Sequence, residues 1–528
     1  MSAEISTDMN TNAAQAPTAP TTITPAAAAA TKNFWARWGA AYLADWAGNS
    51  PGNGVTDTNR RGTPAPIMSP PFPAADWPIG GTVVIGAPDT QVYPLQEAIN
   101  KNVGHNKIYG WVAIGGNAST NNRGNTAAGS ANVPANSPSA YDEYPNTIVL
   151  DQAAIYFERL PDTVQTDHFD WGYRVSPLYG QDYRYTTSHG LLSQQLLVKN
   201  AQYGFDPVMF YIDMYFPKVG KGMNLRIGRY ISLPDIEAQL APNNYTYSHS
   251  ILYTYDCYTQ LGINATIKLD DHWTIQGGIS PGCDTMPWTT DAKVTGNACL
   301  VYTWHNGGDA LNTCDNTIND GEYAYNNLTA FYETYYHRIN ASWHTDTEGW
   351  YQYMKDTPNM FWYDGGFTKT KTTPWPEVNG AGVNLNFGAV CEDPRLPVGR
   401  QQAKCNAPEW AITNYLEHNF AHNEASLNIR NEIVNDIKGQ RTGTPGYYEE
   451  HMVGLDLWLG STVTFRPEIS YTHAFSKYGL KALDISPGTA VTSAVLYNIN
   501  PSGGPVQAFP WTGKTQALTL AADLIWHF

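Results

Sequence analysis

The sequence predicts an all-β chain: a transmembrane, antiparallel, up-and-down β-barrel of about fourteen strands, with twelve to eighteen allowed. A disordered N-terminus and a short helical segment precede it. Three observations predict this fold. The composition favours strands and turns over helices, many extended segments carry a strict two-residue alternation of apolar and polar side chains, and the connectors alternate between short and long along the chain.

Composition comes first because it narrows the class. Gly 46, Pro 35, Tyr 34 and Trp 17, with only 15% charged residues, describe a chain rich in turn formers and aromatics and poor in helix-building blocks. No stretch approaches the roughly 18 apolar residues that a membrane helix needs. A bilayer-spanning chain must then be a closed barrel, because only helices and closed barrels satisfy every backbone polar group in hydrocarbon. A mean hydropathy of -0.39 is compatible with that, since only alternate residues face lipid. The net charge of -16 and the absence of Lys/Arg patches exclude nucleic acid as a partner.

The elements follow in chain order. Residues 1–33 read as a disordered leader: the first thirty have neither a basic n-region nor a continuous apolar h-region, so no intact secretory signal is read there. Residues 34–106 form a separate N-terminal segment. Phe34, Trp35, Trp38, Tyr42 and Trp46 recur at helical spacing, which predicts an amphipathic helix, and the Pro/Gly-rich run "TPAPIMSPPFPAADWPIGG" reads as a linker. The segment is expected to be a periplasmic appendage or a partial plug.

Residues 107–528 carry the barrel pattern. In "TVTFRPEISYTHAF", Val463, Phe465, Ile469, Tyr471 and Phe475 share one face, and Thr464, Arg466, Glu468, Ser470 and Thr472 the other. The same alternation places Leu261, Ile263 and Ile267 opposite Asn264, Thr266 and Lys268, and Val208, Phe210, Ile212 and Met214 opposite Tyr211, Asp213 and Tyr215. Short turns are expected near 160–167, 217–221, 269–272, 345–348, 420–422 and 460–462. Long Gly/Asn/Pro-rich loops are expected near 117–146, 180–205, 231–250, 281–323, 364–408, 436–446 and 478–513. Tight turns on one side and long loops on the other are the arrangement of a transmembrane barrel. The last strand puts Leu518, Leu520, Leu524, Trp526 and Phe528 on one face, which meets lipid while the strand closes the barrel against the first. That strand is also the element expected to engage the barrel-assembly machinery.

Two runs carry a family resemblance. "LQEAINKNVGHNKIYGWVAIGG" and "LRIGRYISLPDIEAQLAPNNYTYSHSILYTYDCYTQLGINATI", the second with Glu237, the Asn243–Asn244 pair, Tyr247, Ser248, Ser250 and Gly262, resemble the putative β-barrel porin-2 family, the OmpL-like outer-membrane porins. The resemblance spans most of residues 95–528. It implies a porin of the bacterial outer membrane that passes small polar solutes or ions, has outer-membrane lipid as its surroundings, and is compatible with a homotrimer.

A channel selects by the size, charge and hydrogen-bonding groups of its lumen. Face assignment gives Arg174, Arg226, Lys268, Arg338, Arg430 and Arg466 as inward cations, and Asp170, Asp213, Glu432, Asp456, Glu468 and Asp523 as inward anions. The two signs are expected to balance, giving a broad, weakly selective, mixed-charge pore. An acidic mouth then adds a mild cation preference, and many of the charges pair across strands as wall structure. Most Trp and Tyr are assigned to lipid-facing positions and strand ends, which leaves a sugar-stacking track as a secondary reading. Two further alternatives stand beside the open pore: an exported, soluble, all-β carbohydrate-binding protein, and a barrel plugged by residues 31–106 that serves a structural or docking role.

No catalytic or phosphate-binding motif is present, and no cofactor or metal is expected. His418, His422 and Glu424 have metal-ligand spacing but straddle a predicted turn, and "DNTINDGEY" lacks the glycine a calcium loop requires. The six cysteines contain no C-x-x-C pair, which favours disulfides in an oxidising compartment. Of fifteen connectivities, turn geometry prefers Cys257–Cys283 between adjacent strands, Cys299–Cys314 within one outer loop and Cys391–Cys405 within another.

Overall fold

The computed structural model describes residues 33–47, 59–60, 63–64, 93–99, 106–121, 136, 138–163, 165–197, 199, 201–231, 235–290, 292–305, 308–318, 328–340, 342–359, 389–392, 400, 402–420, 425–442, 445–476 and 515–528. Nearly all of the leader, most of the Pro/Gly linker, His422, Glu424 and the outer stretches 360–388 and 477–514 lie outside the described residues.

Sixteen antiparallel strands close into one barrel. They are β1 (Asn106–Ser119), β2 (Ile148–Arg159), β3 (Asp170–Gly180), β4 (Gly204–Phe216), β5 (Met223–Ile231), β6 (Thr259–Lys268), β7 (Trp273–Ser280) and β8 (Thr295–Trp304). The second half is β9 (Asp309–Ile318), β10 (Thr329–Arg338), β11 (Trp343–Pro358), β12 (Lys404–Asn419), β13 (Ala425–Asp436), β14 (Gly446–Leu459), β15 (Val463–Ser476) and β16 (Gln516–His527). Each strand pairs with its sequence neighbour, and β16 returns to β1 with Asp523 opposite Gly115 and Leu524 opposite Ile114. Past the ladder, Phe528 N–H donates to the Gly110 carbonyl at 2.8 Å, and the Phe528 carbonyl accepts from Gly110 N–H at 3.1 Å. A side chain at Gly110 would run into the Ala154 carbonyl and meet the Phe528 ring at 2.6 Å, so this close approach requires glycine.

Two of the strands exceed the expected fourteen. They are β8 and β9, which occupy the stretch 281–323 that the connector pattern assigns to a single outer loop. The outward row of β9 is Leu311, Thr313 and Asp315, so the apolar alternation that marks the other strands is thin there. The turn predicted at 345–348 is also corrected. Those residues lie inside β11, and the chain reverses at 339–342, where the Asn340 side chain accepts from Ser342 N–H and Trp343 N–H at 2.9 and 3.0 Å. The carboxylates of "TDTE" alternate along a strand wall instead of lying in a solvated turn.

The outer face is apolar all round. Ile114, Phe157, Val175, Ile212, Ile227, Ile263, Ile279, Leu300, Leu311, Phe331, Tyr351, Ile412, Ile433, Val453, Ile469 and Leu520 are exposed, one on each strand. A second protein layer would bury that belt, so a sandwich is excluded and the belt is the lipid surface. On β16 Leu518, Leu520, Leu524 and Trp526 are exposed, whereas Thr519, Asp523, Ile525 and His527 between them are buried toward the lumen. Val208 departs from its predicted outward row and is fully buried, because the ladder slips between Ser176 and Pro177 and leaves it in a bulge. Rings gather at the short-turn ends, including Trp273 against Tyr302 at 4.5 Å and Trp343 against His418 at 4.4 Å, where an aromatic girdle belongs.

Helix α1 (Phe34–Trp46) is docked on the short-turn rim. Its Asp45 carboxylate accepts from Ser461 N–H and Thr462 N–H in the β14–β15 turn, where Gly460 has φ +60° and its missing side chain leaves room for that carboxylate. Tyr42 donates to the His527 carbonyl at 2.8 Å, and Trp38 stacks on Trp526. Helix α2 (Pro94–Ile99) follows Tyr93, which stacks on Tyr109 and His527 of the lumen wall. The three disulfides are Cys257–Cys283, Cys299–Cys314 and Cys391–Cys405, the predicted pairs. Cys299 and Cys314 sit directly opposite each other on β8 and β9 rather than within a loop.

Candidate functional site in the lumen

The connector from β5 to β6 does not stand outside the barrel. Residues 235–258 run through the lumen, and nearly every one of them is buried. The segment is mostly irregular, with a 3₁₀ turn at Ala241–Asn243 and one short helix, α3 (Ile251–Thr254), capped by Ser250. Its backbone groups therefore need partners that a strand ladder would otherwise supply. The barrel wall supplies them. Ile236 N–H donates to Glu348, Tyr247 and Ser248 N–H to Glu468, and Ile251 and Leu252 N–H to Glu432. In the opposite sense, Arg466 donates to the Ala241 and Asn244 carbonyls at 2.8 and 3.0 Å, Arg430 to the Ser248 carbonyl at 2.9 Å, and Asn428 to the Tyr245 carbonyl at 2.8 Å. Charged side chains on three strands, β11, β13 and β15, hold one strap of main chain across the barrel.

The residues predicted to line the pore fall into three groups, with Asp456 apart from them. Arg430, Glu432, Arg466 and Glu468 are brought together around this strap, and Arg430 and Arg466 also pair with Glu450 and Asp523. Arg174 and Arg226 lie on the wall of β3–β5, each bonded to a carboxylate: Arg174 to Glu158 at 2.8 Å and Arg226 to Asp213 at 2.9 Å, with Arg226 also 3.8 Å over the Tyr211 ring. Asp456 accepts from Ser426 and Asn428 on β13. Asp170, Lys268 and Arg338 stand at strand ends by the short turns, Asp170 held by Arg159 at 2.7 Å and the other two half-buried.

The expected balance of charge is corrected. Among the described residues the buried cations are Arg174, Arg184, Arg226, Arg229, Arg430, Arg441 and Arg466, and buried carboxyls outnumber them several-fold. Part of the excess lies on β11 and β12, where Asp346, Glu348, Glu409 and Glu417 face inward and no arginine shares the strands' inner face. Asp235 and Asp256 of the strap lie against Glu348. These residues escaped sequence reading because β11 was cut by a supposed turn; the alternation His344, Asp346, Glu348, Trp350, Gln352 was the available signal. In the connectors, burial pushes the carboxyls of Asp142 and Asp256 well above the usual range, with Glu468 adding to the effect at Asp142 and Asp235 at Asp256.

The assignment of most aromatics to the lipid face is corrected as well. Tyr109, Tyr156, Tyr211, Tyr332, Tyr415, Trp111 and Trp350 are buried on the inner side. Tyr185, Tyr141, His249 and Tyr253 stack in succession, with centroid spacings of 4.2, 3.6 and 5.2 Å. Their faces are taken by one another.

The family model described as "Putative beta-barrel porin-2, OmpL-like" matches residues 106–497. No curated protein matches the sequence. Among solved structures, the chain is similar to an anion-selective porin from Comamonas acidovorans (8% identity, TM-score 0.44, 80% of this chain and 99% of that one). It is also similar to the outer-membrane channel DcaP of Acinetobacter baumannii (7%, 0.43, 80% and 97%) and to the trimer form of OmpT of Vibrio cholerae (10%, 0.43, 80% and 99%).

Proposed function

Because the chain belongs to the OmpL-like β-barrel porin-2 family and is an outer-membrane porin, we propose that it is a passive, non-enzymatic channel whose lumen prefers cations. The observation that carries the preference is the asymmetry of the inner wall. Every arginine on the inner face of β3, β5, β13 and β15 is bonded to a carboxylate, while the carboxyls of β11 and β12 have no arginine among them. Paired charges cancel at a distance; the unmatched row does not, and a low-dielectric wall carries its field into the lumen. The strap at 235–258 narrows the space over which that field acts, so screening by salt is weaker than in an open mouth.

The test is the reversal potential of single channels in planar bilayers under a KCl gradient. A shift toward the potassium equilibrium potential is expected, and a shift toward chloride refutes the preference. Replacing both Glu348 and Glu409, which lie outside the His344–Asp346–Glu417 group, with Gln is expected to move the potential toward zero. Assembly as a homotrimer and recognition of the β16 strand by the barrel-assembly machinery belong to the same proposal. Residues 34–106, which α1 ties to the periplasmic rim, are proposed to act as a rim element rather than as the plug, because the lumen is already crossed by the strap.

A further inference from the structure

Near the periplasmic end of β11 and β12 three side chains of metal-binding type converge. His344 and Asp346 are two residues apart on β11 and so share its inner face, and Glu417 on β12 is directly opposite His344 in the ladder. One donor atom from each, an imidazole nitrogen and two carboxylate oxygens, falls within 4.8 Å of the other two. All three residues are at most 1% exposed. Burying two carboxylates side by side costs several kcal/mol unless a cation or good hydrogen bonds compensate. Hydrogen bonds do not compensate here: neither Glu417 oxygen accepts one, and Asp346 receives one, from Tyr245 at 2.9 Å, which leaves its Oδ1 without a partner. No lysine or arginine is bonded to either carboxylate among the described residues. Glu417 instead lies against His344 Nε2.

We propose that His344, Asp346 and Glu417 bind one divalent transition-metal ion, with zinc as the best fit. One imidazole and two carboxylates form the mixed N/O donor set that suits zinc, and three protein ligands leave a fourth position for water. Calcium and magnesium fit less well, since both prefer all-oxygen shells of six or more ligands. Tyr245 is the positioning residue. Its hydroxyl fixes the Asp346 carboxylate in the way outer-shell donors orient metal ligands. Tyr245 belongs to the strap, so the ion is coupled to the segment that narrows the pore: binding would hold the Tyr245 end of the strap against β11 and β12. The nearby row of Glu348, Asp235 and Asp256 is a different kind of group, carboxylates alone, and draws no ion in this proposal.

The experiment uses the full chain, extracted in detergent, stripped with EDTA and passed through gel filtration after incubation with zinc chloride. Retained zinc is measured by mass spectrometry, and Co²⁺ absorption is read on a parallel sample. The wild type is expected to retain about one equivalent of zinc. E417Q is expected to lose it while still showing the heat-modifiable mobility of a folded barrel, and Y245F to weaken affinity roughly tenfold to a hundredfold. The Co²⁺ spectrum of the wild type is expected to have the intense visible bands of a four-coordinate site. If H344A does not fold, E417Q alone decides, because Gln matches Glu in size. A folded wild type that retains no zinc, or an E417Q protein that retains as much as the wild type, overturns the proposal.

Discussion

At the scale of single residues, the buried charges of the wall serve the strap before they serve any solute. Arg466 makes the point: its guanidinium is shared between Asp523 at 2.5–2.9 Å and the carbonyls of Ala241 and Asn244. Arg466→Ala leaves Asp523 uncompensated and two carbonyls unbonded, a loss of about 3–5 kcal/mol. A lower temperature for heat-induced mobility change in detergent gels is the expected result, together with noisier single-channel current. Glu432→Gln leaves no buried charge unpaired, but Ile251 N–H and Leu252 N–H bond separate carboxylate oxygens, so the amide keeps one of these bonds and sets its NH2 against the other N–H. The acidity of the connectors sets a pH dependence. The carboxyls of Asp142 and Asp256, held above their usual range by burial, are neutral in acid and gain charge as pH rises through their raised values. Cation preference is therefore expected to grow as pH rises, read as a reversal potential moving toward that of potassium. A flat profile would show that these groups stay protonated or lie outside the ion path.

At the scale of elements, what was legible in the sequence was the outer face. Lipid demands apolar side chains at every second position, so rows such as Leu518, Leu520, Leu524 and Trp526 stand out and give strand identity, register and closure. The inner face obeys no such constraint. Thr, Asn, Asp and Tyr are all acceptable there, and β9, whose outer row is itself half polar, disappeared into a loop. The strap was illegible for the same reason: residues 235–258 resemble any long outer loop until the side chains that bind their backbone, which come from strands more than a hundred residues away, are placed opposite them. Turn geometry pointed to Cys257–Cys283, whereas Cys299–Cys314 was assigned within one outer loop and instead joins paired strands β8 and β9. Helix α1 carries a prediction of its own. Trp35, Leu43 and Trp46 are exposed, yet the helix is stacked on Trp526, the last residue of the outward row of β16. The continuity of these surfaces puts the exposed side of α1 in the inner-leaflet interface, where Trp is favoured. In vesicles containing brominated lipid, a variant retaining Trp35 as its reporter is expected to be strongly quenched; emission unaffected by the lipid would place the helix in water.

At the scale of the whole molecule, closure is the condition for everything else. Removing β16 would expose the edges of β15 and β1, and each orphaned N–H and C=O facing hydrocarbon costs several kcal/mol, so no fifteen-strand remainder persists in a bilayer. Phe528 sits at the end of this seam, bonded through its backbone to Gly110 and covering that glycine with its ring. Its backbone bonds do not depend on its side chain. Phe528→Ala is therefore expected to refold in detergent with near wild-type yield, as judged by heat-modifiability, because the ladder between β16 and β1 is intact. In cells, by contrast, the same variant is expected to reach the outer membrane in reduced amount if the terminal aromatic is part of what the barrel-assembly machinery recognises. Equal loss in both settings would assign Phe528 to seam stability alone, and no loss in either would remove it from both roles.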